Sequence, residues 1–345
     1  MIRIDEIYTN LFGPMIKRHD QSIHYFDPFG RTDKDALMVD PLIIDRNKAL
    51  LCWDQEPFFP SVHMDTIHWF IETFTKNNNK CDVIFLTSEK DSIDVKQLCE
   101  KMGFRSSYYF FHAWASLDWY RGYDKSLLIP NYKDREITNT FISPNRIVGG
   151  YREHRIELFR KMVKYDIVKN NVISFPKYCP YSKEEIVING INLPLVFEGE
   201  DPDNIPNESY KITLWDKAKN SLLYVITETL YSQDTLHLTE KTFKPIVMQM
   251  PFVLVGPKGS LEYLRSYGFK TFNEFWDESY DTLDNDKRIN AIIELLKELD
   301  NLSTNEKIEL QKNISKVVEH NFNWFYSKEF ENLLWCELQD TMSKW

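Results

Sequence analysis

Residues 220–257, NSLLYVITETLYSQDTLHLTEKTFKPIVMQMPFVLVGP, decide how this chain is read. Positions 221–227 are apolar at nearly every step, as a strand covered on both faces must be, and the run ends on Glu228. A polar loop follows. Thr239, Glu240 and Lys241 then open a helix-like stretch, and PFVLVGP closes the segment as a second strand ending at a Gly-Pro stop. Strand, helix and strand in that order predict a parallel β-sheet unit, with its helix N-terminus set beside the carboxyl ends of its strands.

The same alternation recurs towards both termini. ALLCW (49–53) and DVIFL (82–86) read as buried strands, SVHMDTIHWFIETFTKN (61–77) and DSIDVKQLCEKMGF (91–104) as helices, and SYYFFHAW (107–114) as a further strand. TFISPNR (140–146), YREHRIELFRKMVKYDI (151–167) and NNVISF (170–175) repeat strand, helix and strand; residues 176–210, rich in Pro and Asn, read as an irregular insertion. The tail is helical. The expected fold class is therefore α/β, with two Rossmann-like lobes, a cleft between them and C-terminal helices. Residues 1–140 would form the first lobe, 141–322 the second, and 323–345 a helix packing back across both.

Bulk properties narrow the function classes. A chain of 345 residues exceeds what one core usually supports, and 43% hydrophobic with 27% charged residues describes a folded protein. The net charge of −10 and the absence of a dense Lys/Arg run argue against a broad grip on a nucleic-acid backbone. Glycine is scarce, and neither a P-loop nor a G-x-G-x-x-G fingerprint occurs. Five dispersed cysteines without a C-x-x-C pair predict reduced thiols and no zinc, and His63 and His68 lie at a spacing that suits no metal. With no signal-peptide pattern and no apolar run long enough to span a bilayer, a cytoplasmic protein is expected.

Four constellations could carry chemistry. Glu228, at a strand end, and Thr239-Glu240-Lys241, at a helix start, combine free backbone N–H groups, a cation for phosphate and a carboxylate able to accept both hydroxyls of a ribose. The same triplet also has a purely structural reading, as an N-cap with an acid near the positive end of the macrodipole; no capping box forms, because neither Thr235 nor Thr239 has Glu or Gln three residues on. In SPNRIVGGYREHRIELF (143–159), Arg146, Arg152 and Arg155 bracket a Gly149-Gly150 turn and could clamp a diphosphate; the alternative is a solvated basic face. LLCWDQEPFFP (50–60) delivers Asp54 and Glu56 past a strand, where one could act as general base and either could simply cap a turn. FFHAWASLDWYRGYD (110–124) offers His112, Asp118 and Tyr120 beside tryptophans, suited to an acceptor or to a packed helix.

The succession YVITET, HLTEKTFKPIVMQMPFVLVGP and LEYLRSYGFKTFNEFWD resembles the donor-binding region of the α1,3-fucosyltransferase family over about 50 residues. That resemblance implies a GT-B glycosyltransferase using a nucleotide-diphosphate sugar, GDP- or UDP-linked, with Glu240 on the ribose, Lys241 on the diphosphate and Glu228 as the strand-end carboxylate. The Asn-Arg and His-Arg pairs around residues 145–155 are similar to the start of the donor lobe in fucosyltransferase-like and exostosin-like enzymes. His237 stands where the family has tyrosine and Thr229 where it has asparagine; His237 and Thr239 join the expected donor-binding set. The reading implies a saccharide or other hydroxyl acceptor, no cofactor beyond the donor, and no metal, since Arg and Lys offset the leaving-group charge. Two alternatives are a viral-type glycosyltransferase acting on DNA bases and a non-catalytic nucleotide-sugar or glycan-binding protein.

Overall fold

The structure, a computed structural model, describes residues 23–26, 48–75, 82–126, 131–179, 182–197, 211–232 and 234–343. Cys81 and the 198–210 part of the expected insertion lie outside them. The chain divides into two compact units, one comprising residues 1–119 with 331–345 and the other residues 120–330.

The first unit holds strands β1 (Ile23–Phe26), β2 (Lys48–Trp53), β3 (Asp82–Thr87) and β4 (Arg105–Tyr108), all parallel and in the order β1-β2-β3-β4. Leu51, Trp53, Val83 and Phe85 share one face by the two-residue period of a strand and pack with Phe58, Ile67, Phe70, Val95 and Leu98. Cys52, Ile84 and Leu86, on the opposite face, are buried as well. This is why ALLCW and DVIFL carry no polar alternation. Helices α1 (Pro60–Thr75) and α2 (Ile93–Met102) connect the strands. Helix α2 starts where the Ser92 hydroxyl accepts from the Val95 amide and stops at Gly103, whose φ of 69° a side chain would resist. The apolar run expected as one strand over 107–114 divides: β4 ends at Tyr108, and α3 (Phe111–Trp119) begins three residues later. Aromatic residues suit both conformations, so their identity alone did not place the break.

The second unit contains β5 (Asn139–Pro144), β6 (Val172–Ser174), β7 (Ser221–Thr227) and β8 (Phe252–Val255). They are parallel in the order β6-β5-β7-β8, with Phe141 beside Leu223 and Tyr224 beside Phe252. Every residue of β7 is buried. After the short helix α4 (Tyr123–Ser126), α5 (Glu153–Lys164) links β5 to β6; the short α6 (Trp215–Ala218) precedes β7, and α7 (Glu240–Val247) links β7 to β8. Helices α8 (Ser260–Ser266), α9 (Asn285–Asp300) and α10 (Thr304–Phe325) follow, and α11 (Lys328–Ser343) ends the described chain. Helix α9 buries Ile289, Ile292, Ile293, Leu296 and Leu299 at helical spacing, and α10 begins with a capping box between Ser303 and Glu306.

The strand order of the second unit sets the position of its functional edge. From β5 the chain moves to β6 on one side, then returns to place β7 on the other side of β5. The connections leaving the carboxyl ends of β5 and β7 therefore diverge, which opens a crevice at that edge. The two connections that border it are residues 145–152, with Arg146 and Arg152, and 228–239, with Glu228, His237 and Thr239; Arg155, Glu240 and Lys241 stand in the first turns of the helices that follow.

No helix among the described residues is long and apolar enough to cross a membrane.

Candidate functional site

Glu228 leaves β7 fully buried, and its carboxylate is enclosed by donors. The Thr239 amide donates to it at 3.0 Å, the Thr239 hydroxyl at 2.7 Å, the Thr242 hydroxyl at 2.6 Å and the Thr229 amide at 3.3 Å. A buried carboxylate with this many donors satisfies its own charge within the protein. It also ties the end of β7 to the first turn of α7. Thr239 completes the joint as N-cap, its extended backbone preceding the helix and its hydroxyl accepting from the Lys241 amide at 3.4 Å.

Arg155 and His154, from the first turn of α5, stitch the other side. Arg155 donates to the carbonyls of Ile147 at 2.7 Å, Thr227 at 2.7 Å and Glu228 at 2.9 Å, so one guanidinium spans both connections that border the crevice. Burial pushes its pKa down to about 10, and the neighbouring charge of Arg152 acts in the same direction. His154 Nε2 lies 3.1 Å from the Glu228 carbonyl, and its ring stacks on Tyr231 at 4.9 Å. Burial, reinforced by the charge of Arg155, holds that imidazole well below its ordinary pKa, so it is neutral. Asn145 closes the sheet end: it accepts the Thr227 hydroxyl at 3.0 Å, and its amide reaches the Ser174 carbonyl at 3.0 Å.

The Gly149-Gly150 turn is required sterically. Gly150 has φ of 63°, in the left-handed region. A Cβ on Gly149 would sit 2.9 Å from Cys179 Sγ, so the segment beyond β6 closes directly on this turn. Arg152 is buried next to it, with its guanidinium 4.1 Å from the Tyr151 ring centroid.

Against this rigid frame, the side chains that keep exposed surface are few. Lys241 is 31% exposed; its ammonium donates to Thr239 Oγ1 at 3.0 Å, Glu240 Oε1 at 3.2 Å and Thr229 Oγ1 at 3.3 Å. Glu240 is 12% exposed, and its charge is felt by Arg155, Tyr120 and Tyr224, whose phenols are held above their ordinary pKa chiefly by burial. Arg146 is half-buried. All eight expected donor residues thus belong to one sheet edge in the second unit. Their situations differ: Glu228, Arg155, Thr239, His237 and Arg152 are buried, while Arg146, Glu240 and Lys241 keep surface that a ligand could reach.

In the first unit, Asp54 follows β2 and is fully buried, with the Tyr109 hydroxyl donating to its Oδ2 at 3.1 Å. Glu56 is half-buried. His112 is buried with Nε2 3.2 Å from the Gln55 carbonyl, and Asp118 is buried on the same helix, α3. Tyr120 belongs to the second unit, where its carbonyl accepts from the Tyr326 hydroxyl at 2.8 Å.

One titratable group escaped the sequence reading. Glu89 stands two residues past β3, buried, and its Oε1 accepts from the Phe58 amide at 2.7 Å. Burial raises its pKa to about 7, against the opposing effect of the Phe58 and Ser92 hydrogen bonds. Its neighbour Ser88 donates to the Asp54 carbonyl at 2.6 Å, linking the two strand ends. The signal was present: DVIFLTSE (82–89) places an acid just past a strand, as LLYVITE does.

Compared with models of known protein families and with curated protein sequences, the chain matches none.

Proposed function

We propose that this protein is a glycosyltransferase of GT-B-like, two-lobed architecture that moves a sugar from a nucleotide-diphosphate donor to an acceptor hydroxyl. The observation that carries this reading is the pair Glu240 and Lys241. It stands at the first turn of α7, on the edge of a parallel sheet where strand order reverses, and Glu228 fixes it from beneath. Ligands of doubly wound sheets bind at that edge, and a helix start with an adjoining ammonium favours a diphosphate. In this reading Lys241 and Arg146 contact the phosphates, Glu240 accepts the ribose hydroxyls, and Arg152 adds positive potential. Glu228, Thr239, Arg155 and His237 hold these groups in place.

Transfer breaks the bond between the sugar's anomeric carbon and the diphosphate oxygen, whose electron pair leaves with the nucleotide diphosphate. The acceptor oxygen forms the new bond and gives its proton to a carboxylate. Lys241 and the arginines offset the charge that develops on the leaving group, so no metal is needed for that role. The proposed bases are the strand-end acids of the first unit, Asp54 or Glu56, joined by Glu89, whose pKa near neutrality suits proton transfer. His112, Asp118 and Tyr120 are the proposed acceptor-side residues, and the proposed compartment is the cytoplasm.

A second reading, a nucleotide-sugar-binding protein without transfer, is favoured by the complete burial of Asp54. Release of nucleotide diphosphate from UDP- and GDP-sugars, with and without a panel of saccharide acceptors, separates the two. Acceptor-dependent release that Lys241→Ala abolishes supports transfer. Donor binding with no release supports the second reading, and no binding of any donor removes both.

A further inference from the structure

The segment after β6 carries the one Asn-Gly step of the chain, Asn189-Gly190, in the stretch EEIVINGINLPL (184–195). Both residues are exposed in a turn, while Ile188, just before them, is buried. Asn189 keeps an ordinary negative φ and Gly190 takes φ of 93°, the sign pattern of a type II turn, whose second central position calls for glycine. Among the described residues neither the Asn189 side chain nor the Gly190 amide makes a hydrogen bond.

These are the conditions under which an asparagine attacks its own backbone link. The reaction needs a main-chain amide that can give up its proton, a side-chain amide free to rotate onto it, and no side chain on the next residue to block the approach. A hydrogen bond to either group, or a Cβ on residue 190, would oppose it. Asn220-Ser221 offers a contrast within the same unit, because Ser221 is fully buried at the start of β7. Ring closure there requires the strand to open first.

We propose that Asn189-Gly190 is a self-modification site at which the folded protein deamidates through a cyclic imide. Solvent base removes the Gly190 amide proton, and that nitrogen forms a bond to Asn189 Cγ. The side-chain nitrogen leaves as ammonia, taking its protons from water, and a five-membered succinimide remains. Water then opens the ring. Attack at Cγ breaks the new bond and gives aspartate; attack at the main-chain carbonyl breaks the original peptide link and gives isoaspartate. Nothing is oxidised or reduced, and the net change is water consumed and ammonia released. Either product sets a new carboxylate on the exposed turn. Isoaspartate also lengthens the backbone by a methylene where the turn rests on α5, since a Cβ on Gly190 would lie 3.6 Å from Val163 Cγ1.

The test incubates the full chain at mildly alkaline pH for several days, beside a synthetic peptide of residues 184–195 as the unstructured reference, and reads proteolytic fragments by tandem mass spectrometry. Position 189 is expected to gain the mass of an amino group replaced by hydroxyl and to yield two chromatographic species, aspartate and isoaspartate. Its rate should lie within about tenfold of the peptide's and at least about tenfold above the rate at Asn220. Asn189→Gln, an exposed polar change compatible with folding, would need a six-membered ring and should leave the fragment unmodified. The proposal is overturned by a rate in the protein more than about tenfold below the peptide's, by equal conversion at Asn189 and Asn220, or by the same mass gain in the Asn189→Gln fragment.

Discussion

Glu228 and Thr239 are joined twice, carboxylate to amide at 3.0 Å and carboxylate to hydroxyl at 2.7 Å, and this joint sets where α7 begins. Because the helix start is fixed from within the core, Glu240 and Lys241 are held at the sheet edge without depending on a bound ligand.

Replacing Glu228 by alanine leaves the Thr239 amide and the Thr239 and Thr242 hydroxyls without their acceptor in a buried space. At about 1–3 kcal/mol for each unsatisfied donor, partly relieved by relaxation, a loss of roughly 3 kcal/mol is expected. Urea denaturation of Glu228→Ala should show it, and Glu228→Gln, which keeps one acceptor, should lose less. Unchanged stability in both variants would mean that the joint contributes nothing.

Gly149→Ala forces a methyl to within 2.9 Å of Cys179 Sγ, and overpacking of this kind costs about 1–3 kcal/mol. Trimming the partner should relieve it. In a double-mutant cycle, Gly149→Ala combined with Cys179→Ala is expected to be more stable than the sum of the single changes predicts; strict additivity would place the cost elsewhere.

Glu89 makes stability depend on pH in a defined direction. Its pKa rises from 4.5 to about 7 on folding, so between these values the folded chain holds a proton that the unfolded chain has released. Stability from this group therefore falls as pH rises from about 4.5 to 7, by about 3 kcal/mol in all, and is flat above. His154 acts oppositely: its folded pKa is depressed, so its contribution is lost as pH falls below about 6.5. The difference between wild type and Glu89→Gln isolates the carboxyl, and the variant should gain on the wild type steadily between pH 5 and 7 in urea titrations. Parallel curves would show that Glu89 titrates normally.

If Lys241 and the arginines offset the diphosphate charge, chelators should leave donor binding unchanged within about twofold, since no divalent cation is required at the leaving group. Calorimetric titration with and without EDTA measures this directly. A large loss of affinity on chelation would assign the charge-offsetting role to a metal.

Much of this arrangement could be read before any coordinates. The buried strands announced themselves because β2, β3 and β7 are covered on both faces; the N-cap was narrowed to Thr235 or Thr239, hydroxyls between a polar loop and an apolar periodic run, and the structure places it at Thr239. The strand order β6-β5-β7-β8 was not legible. It depends on which side of β5 each crossover returns, and that is set by tertiary packing instead of local pattern. Nor could the sequence separate Glu228 from Glu240. Both are acids beside strand or helix ends, and only burial and partners show that one is enclosed by threonines while the other retains surface. Glu89 was missed because its loop, TSEK, has the composition of an ordinary turn.

The account turns on Lys241 and Glu240 holding a nucleotide diphosphate at the switch-point edge, and thermal unfolding of wild type and Lys241→Ala across UDP, GDP, ADP, dTDP and CMP tests it most directly. At about a hundred times its Kd, one diphosphate should raise the wild-type Tm by roughly 4 °C, with little rise in the variant. No shift with any nucleotide, or the same shift in both proteins, would contradict the account.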